Sequence, residues 1–454
     1  MWAWAYFGIL ITIIIVLFVM IRRPMYETMI IAFLALVIIS GQIGSVGTYV
    51  FSALKNNLLY AIVSFIAFSV VLDRTGVVND FIDVIVALVG RFSGGAGYVA
   101  LAASSMMGAL SGTGGGNAAA IGSIVIPTMK KTGFSSELAA TVEMSASALG
   151  PTIPPSGTIN IVFGILISMY PDCCTFSEYW LMMWVIALWF IFQRFLSLYI
   201  DIKRMGIGPI PKEERQPLGE AFRKGWRACL LPVIVFLPFL LDAKLNATLF
   251  TERMGAAGAK AFSGAMLAIV PSICIVYILL ACMRGKEKQS LQGFIKMFSD
   301  SIPSIAPVAG MVIGGFGISE LFNDIGVGDA IVETIGALSI PYWVFAIVVP
   351  LVCAFFGMFL ESTTMLYMFT MPIVALAASV GFNPIIAAGM VGVMTTSLGH
   401  MTPPFGQTFF VCLGVAKSDF FGTLKTVIPW CIMHYIFEVL VLFGIIPIFG
   451  APVF

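Results

Sequence analysis

Apolar runs separated by short polar segments make up most of the chain. Several runs approach 20 residues, the length of helix that crosses a bilayer, and clear cases are residues 4–21, 179–200 and 427–448. Shorter runs reach this length only with their flanks, and the whole pattern predicts about eleven crossings. The chain is therefore predicted to be an all-α polytopic membrane protein.

Composition and charge agree with this prediction. Hydrophobic residues make up 59% of the chain and charged residues 10%, whereas soluble proteins carry about 25% charged residues. The net charge of +1 gives no indication of a nucleic-acid partner. Because cytoplasmic loops collect Lys and Arg, the basic residues predict a cytoplasmic linker at 203–227 and an external N-terminus before Arg22 and Arg23.

Two short segments interrupt the apolar pattern in the same way. They read LGPTIPPSG at 149–157 and LGHMTPPFG at 398–406. Adjacent prolines do not fit inside a helix, because each removes an amide donor and its ring clashes with the preceding turn. Each segment therefore predicts a broken helix.

The repeat extends upstream of the double prolines. Both copies have, in the same order, a small polar turn, an apolar arm with a proline and a Gly-Phe turn. These features are the turns at 111–123 and 357–365, the prolines at 127 and 372, and the Gly-Phe pairs at 133–134 and 381–382. Only the first arm ends in lysines, Lys130 and Lys131, so the positive-inside rule predicts that the two units enter the membrane from opposite sides.

Inverted repeats with broken helices are typical of secondary transporters, whose binding sites lie at the repeat interface near the middle of the membrane. Irregular backbone at that depth lines a cavity or is buried in protein. Its freed carbonyls, together with hydroxyls, suit a hard cation such as Na⁺, and the N-termini of half-helices suit an anion such as a carboxylate.

These motifs resemble a known family. Residues 111–157 and 357–430 resemble the two units of hairpin and broken helix in the large membrane subunit of TRAP transporters, the tripartite ATP-independent periplasmic family. Residues 71–99 resemble the segment that precedes the first hairpin. The resemblance is good over 55–170 and 345–430.

The resemblance implies an elevator, in which a transport domain with two re-entrant helical hairpins and two broken helices slides against a static scaffold. The implied scaffold parts are residues 1–90 and 228–345, with a helix and cytoplasmic linker at 171–227 and a C-terminal helix at 426–454. The implied transport repeats are residues 91–170, with a hairpin at 111–131 and a break at 149–157, and residues 346–425, with a hairpin at 357–380 and a break at 398–406.

The resemblance also implies sodium ions as the driving ions and several partners. These partners are a separate small four-helix membrane subunit, a periplasmic substrate-binding protein, an organic anion such as a C4-dicarboxylate or a sialic acid, and membrane lipid. The implied location is the cytoplasmic (inner) membrane of a bacterium or archaeon.

Site residues follow from the resemblance, position by position. For sodium we expect Ser111, Gly112, Asn117, Gly150 and Pro154 in the first repeat, and Gly357, Ser362, Thr363, Gly399, Thr402 and Pro403 in the second. For the substrate we expect Thr113, Asn117, Ser156, Thr158, Thr364 and Thr408. A further hypothesis concerns ionisable groups at membrane depth, which are Glu143, Glu361 and His400.

Two alternatives remain open at this stage. A stand-alone sodium/dicarboxylate symporter or ion antiporter of the same hairpin superfamily would keep the broken helices without partner subunits. An intramembrane aspartyl protease is suggested only by the sequence GVGD at 326–329, and the partner Tyr-Asp signature is missing. The eight cysteines form no C-x-x-C pair and fit helix packing, with Cys173 and Cys174 as the one pair of redox interest.

Overall fold

The computed structural model describes residues 2–283, 291–299, 302–337, 340–360, 362–403 and 406–449. Helices dominate these ranges, and no strand occurs within them. The all-α prediction is confirmed. It has a simple physical basis, since a segment that crosses lipid satisfies its backbone hydrogen bonds by forming a helix.

The α-helices of the described ranges are numbered here in chain order. The first nine are α1 (Trp2–Ile14), α2 (Met25–Ile39), α3 (Val46–Lys55), α4 (Asn57–Thr75), α5 (Val77–Val89), α6 (Gly95–Ser111), α7 (Gly114–Lys131), α8 (Ser136–Leu149) and α9 (Gly157–Met169). The next seven are α10 (Phe176–Met205), α11 (Leu218–Cys229), α12 (Leu231–Leu245), α13 (Thr251–Tyr277), α14 (Leu291–Ser299), α15 (Ile302–Asp324) and α16 (Val327–Ala337). The last five are α17 (Tyr342–Gly357), α18 (Ser362–Ser379), α19 (Pro384–Gly392), α20 (Gln407–Ala416) and α21 (Phe420–Leu442).

Eight helical segments of the described chain are long and apolar enough to cross a membrane. They become nine if the bent pair Ile43–Lys55 and Asn57–Leu72 is counted as one span. This number is smaller than the eleven expected from the sequence. Four more apolar helices have only 10–17 residues, so at 1.5 Å per residue they reach at most about 26 Å.

In both repeats, a Gly-Phe turn follows the end of one helix and precedes the start of the next. Gly133 and Gly381 have φ of +97° and +78°, a left-handed conformation that glycine adopts without strain. The following Phe134 amide donates to the Met129 carbonyl at 3.2 Å, and the Phe382 amide donates to the Ala377 carbonyl at 2.8 Å. This is the hydrogen-bond pattern of a glycine helix cap, and it appears at corresponding places in the two repeats.

Both predicted breaks are present. In the first repeat α8 ends at Leu149, a 3₁₀ turn spans Gly150–Thr152, and α9 begins at Gly157. In the second repeat α19 continues through a π turn and a 3₁₀ turn that ends at Met401, and α20 begins at Gln407. The double prolines thus interrupt the helices where their missing amides require it.

In the structure, a helix precedes each expected hairpin and packs against its second arm. The expected bounds 111–131 and 357–380 cover the tip and second arm of each hairpin, and the first arms are α6 and α17. The small polar residues on which those bounds were based mark the tips, whereas α17 is apolar and α6 is largely apolar, with Ser104 and Ser105 near its middle. Re-entry of the hairpins into the membrane stays a prediction.

The two repeats interlock. Helix α7 of the first hairpin packs against α8 and also against α20, which follows the second break. Helix α18 of the second hairpin packs against α19 and also against α9, which follows the first break. Each hairpin therefore contacts the broken helix of the other repeat, and residues from both repeats meet in one place.

Candidate functional site

At each break, a glycine packs directly against a glycine in the first arm of the hairpin of the same repeat. A Cβ built on Gly150 would lie 2.4 Å from the Gly108 Cα, and one built on Gly399 would lie 2.4 Å from the Gly357 carbonyl carbon. Adding 249 to the residue numbers of the first pair gives the second pair. Only glycine permits this backbone approach, so the sequence repeat is also a structural repeat at the breaks.

Beside the first break lies a buried polar network centred on Glu143 of α8. Ser104 of α6 donates its hydroxyl to the Glu143 carboxylate at 2.7 Å, and Ser147 donates to the same carboxylate at 2.9 Å. Asn117 of α7 donates its amide to the Ser104 carbonyl at 2.8 Å and to the Ser147 hydroxyl at 2.9 Å. These four side chains tie both hairpin arms to the broken helix.

All four side chains of the Glu143 network are buried. The network offers carboxylate, hydroxyl and amide oxygens next to backbone carbonyls released by the break. Oxygen ligands of this kind suit hard cations. In the described part of the chain, no three His, Cys, Asp or Glu side chains gather as they would for a transition metal.

The second break has a different polar environment, built from hydroxyls and one histidine. His400 is 2% exposed, and its Nε2 lies 3.5 Å from the Ser362 hydroxyl at the start of α18. Thr408 donates its hydroxyl to the His400 carbonyl at 2.7 Å. Thr402 donates to the Gly399 carbonyl at 3.0 Å, within its own turn. Hairpin, break and following helix are thus joined here as well.

The tip of the first hairpin meets both helices that follow the breaks. A Cβ on Gly112 would lie 3.6 Å from the Ser156 hydroxyl, and one on Gly114 would lie 3.0 Å from the Thr408 methyl group. Ser156 caps α9 by accepting the Thr158 amide, and Thr158 donates its hydroxyl to the Pro151 carbonyl. The start of α7 therefore lies between α9 and α20.

Most of the predicted site residues gather at these contacts. Around the first break lie Gly112, Asn117, Glu143, Gly150, Ser156 and Thr158. Around the second break lie Gly357, Ser362, Gly399, His400, Thr402 and Thr408. Thr363 and Thr364 are buried in the first turn of α18, beside Ser362. Assignment of these residues to sodium or to substrate stays a prediction.

Other predicted residues are placed differently. Pro154 lines an apolar cavity of about 330 Å³ between α4, α6, α10 and α12, and Thr113 is exposed at the hairpin tip. Pro403 is half-buried at the second break. Glu361 and the side chains of Ser111 and Asp329 lie outside the described residues. Cys173 and Cys174 are free thiols with their sulfur atoms 3.7 Å apart.

Sequence reasoning missed a second buried polar group, formed by Gln193, Arg194, His434 and Glu438 on α10 and α21. A signal was available, because Arg194 and Glu438 each interrupt an apolar run, in FIFQRFLSL and MHYIFEVLV. An ionisable residue at membrane depth suggests a function by default. Arg194, His434 and Glu438 lie outside the repeated motifs from which the site residues were predicted.

Comparison with known proteins extends these observations. A sequence model of the family described as "Tripartite ATP-independent periplasmic transporter, DctM component" matches residues 11–449. The "C4-dicarboxylate TRAP transporter large permease protein DctM" of Vibrio cholerae is 26% identical over 415 residues, covering 88% of this chain and 87% of that protein. The "Sialic acid TRAP transporter large permease protein SiaM" of the same organism is 22% identical over 396 residues, covering 87% and 86%.

Among solved structures, the YdaH transporter of Alcanivorax borkumensis has a similar fold. The TM-score is 0.66 at 14% sequence identity, and the match covers 90% of this chain and 88% of that one. This likeness concerns the fold alone. The family match covers nearly the whole chain, so the chain belongs to the DctM family of TRAP transporter large permeases and is a multi-pass protein of the inner membrane.

Proposed function

We propose that this chain uses a sodium gradient to drive uptake of an organic carboxylate that a periplasmic binding protein delivers. One observation carries the proposal. Two broken helices and two hairpins come together around clustered hydroxyl, amide and carboxylate oxygens. Oxygen ligands beside broken helices are the usual setting for sodium in secondary transporters. A small membrane subunit completes the proposed assembly, as the word tripartite in the family description suggests.

The substrate class rests on chemistry and on the relatives. The half-helices α9 and α20 begin at the breaks, and the positive N-terminal end of a helix favours an anionic group. The two Vibrio cholerae relatives are named for C4-dicarboxylate and for sialic acid, and both substrates carry carboxylates. A carboxylate held at the start of α9 or α20 would also lie close to the proposed sodium ions.

Movement of the elevator type is the proposed mechanism. Interlocked packing of α7 with α20 and of α18 with α9 supports a transport unit that moves as one body. Outside this unit, α2 and α3 pack on α15, and α4 packs on α13. These helices would form the static scaffold.

Uptake by proteoliposomes tests the proposal. Vesicles would contain the chain and its small subunit, with the binding protein outside, and would receive labelled succinate or N-acetylneuraminate under an inward sodium gradient. We expect uptake only with both sodium and the binding protein. Uptake without the binding protein would instead identify a stand-alone carrier, and uptake with choline in place of sodium would refute the coupling.

A pair of variants in α7 links uptake to the site. Asn117→Ala removes two hydrogen bonds at the first break, and we expect a several-fold higher half-saturating sodium concentration. Ser123→Ala is the matched control, because Ser123 is exposed on the same helix and bonds only to its own turn. Equal sodium dependence in the two variants would remove Asn117 from the proposed sodium site.

A further inference from the structure

A row of buried polar side chains connects α10 with α21 inside the interlocked unit. Its members Gln193, Arg194, His434 and Glu438 are at most 1% exposed. Arg194 and Glu438 bring opposite charges into a buried place, where an unpaired charge is very costly. None of the four belongs to either repeated motif.

The contact between Arg194 and His434 determines which nitrogen of the imidazole ring donates and which accepts. An Nη1 of Arg194 donates to the Gln193 side-chain oxygen and lies 2.9 Å from Nδ1 of His434. A guanidinium has only donors, so Nδ1 accepts and the ring hydrogen sits on Nε2. That nitrogen lies 3.2 Å from a carboxyl oxygen of Glu438, close to it but outside hydrogen-bond geometry. A neutral imidazole therefore stands between the Arg194 guanidinium and the Glu438 carboxyl group.

The same guanidinium reaches both broken helices. Its Nε donates to the Ser145 carbonyl at 3.3 Å, one turn before the first break, and its second terminal nitrogen lies 3.7 Å from the Met401 sulfur at the second break. The two repeats also touch directly, since Ser397 donates its hydroxyl to the Ala148 carbonyl at 3.3 Å. Arg194 is thus placed to fix the distance between the two breaks.

We propose that Arg194 is a positioning residue that holds the two breaks in register, while His434 and Glu438 balance its charge. This inference rests on the proposed function, because its consequence is that ion binding at one break depends on the geometry of the other. Arginine suits the task because its planar fork serves several acceptors at once, whereas a lysine ammonium is a compact point charge. A buried ion pair alone contributes little net stability, so charge pairing by itself does not account for the contacts to both breaks.

Three variants separate positioning from charge balance. Arg194→Gln leaves Glu438 buried without its countercharge, and we expect a lower unfolding temperature and little uptake. The double variant Arg194→Gln with Glu438→Gln removes both charges, and we expect its unfolding temperature to return close to that of the parent. Arg194→Lys keeps the charge and loses the fork, so it remains informative if the glutamine variants do not fold.

The readout is the sodium dependence of uptake by the proteoliposomes described above. For the double variant and for Arg194→Lys, we expect the half-saturating sodium concentration to rise by about fivefold or more, the lower end of typical coupling between sites, with a less sigmoidal response. A double variant that regains both the stability and the sodium response of the parent would overturn the inference. If uptake by the unmodified protein did not depend on sodium, that result would instead refute the proposed function.

Hydrogen exchange of the purified proteins tests the inference without reference to sodium-driven uptake. We expect faster amide exchange at both breaks in the double variant, around residues 145–157 and 397–403, and unchanged exchange in α13. Exchange equal to that of the parent at both breaks would overturn the positioning role, whatever the transport assay shows.

Discussion

The contact between Gly150 and Gly108 gives the sharpest prediction. In Gly150→Ala, the new Cβ would lie 2.4 Å from the Gly108 Cα and 2.7 Å from its carbonyl carbon. Carbon atoms pack best at about 3.5 to 4.0 Å, so α6 must move away by ~1 Å. Both partners are backbone atoms, and no rotamer change can relieve the clash.

The expected cost follows from this geometry. Overpacking costs about 1 to 3 kcal/mol, and a contact between two backbones belongs near the upper end. Gly150 has helical φ and ψ of −46° and −49°, so alanine regains up to about 1 kcal/mol of helix propensity. The net loss of folding free energy is therefore about 2 kcal/mol.

The sodium dependence of uptake should respond as well as the stability. Ser104 on α6 bonds to Glu143 at 2.7 Å, and a shift of ~1 Å stretches this contact beyond a hydrogen bond. Binding sites tolerate displacements of only about 0.5 Å. We expect the half-saturating sodium concentration for uptake to rise about tenfold, which corresponds to about 1.4 kcal/mol.

Gly414→Ala is the matched control. Gly414 lies inside α20, and a Cβ there would meet no atom within 4 Å. We expect unchanged uptake and equal or slightly higher stability, measured by thermal unfolding in detergent. If Gly150→Ala matched Gly414→Ala in both assays, the close approach of α6 to the break would not constrain the site, and the reasoning would fail.

Three further predictions test single contacts by thermal unfolding. Glu143→Gln should cost about 1 to 3 kcal/mol, because a buried carboxylate that accepts two serine hydroxyls becomes an amide with surplus donors; an unchanged unfolding temperature would contradict this account of the network. Thr408→Val keeps the side-chain shape but removes the donor to the His400 carbonyl, and a loss of about 1 kcal/mol is expected, whereas stabilisation would show that the bond is dispensable. Lys260→Ala should leave stability unchanged although its ammonium lies 2.5 Å from Asp172, because both side chains are about three-quarters exposed; a clear drop would mean that this pair is ordered and less screened than its exposure suggests.

Local chemistry explains what the sequence could predict. Adjacent prolines break a helix in any surroundings, and both breaks lie where the double prolines stand. The predicted Gly-Phe turns likewise depend on local backbone conformation, and Gly133 and Gly381 adopt the left-handed form in them. Such features need no knowledge of the rest of the fold.

Long-range contacts explain what the sequence could not predict. Arg194 meets His434 across 240 positions of the chain and Met401 across 207. No periodicity encodes such partners, although a lone arginine in an apolar helix is itself a signal. Pairing of α6 and α17 with the expected hairpins is likewise a long-range property, since their largely apolar sequences resemble those of ordinary membrane helices.

The two repeats share a backbone plan, but the polar groups that the structure describes at their breaks differ. The shift of 249 positions that relates the glycine pairs places Gly392 opposite Glu143. The first break is therefore surrounded by a carboxylate network, while the described surroundings of the second offer hydroxyls, carbonyls and a histidine. A cation gains less from neutral oxygens than from a nearby carboxylate in a low-dielectric site. On the proposed function, a substrate carboxylate beside the second sodium ion would strengthen binding of that ion, which would make binding of the ion and of the substrate mutually dependent.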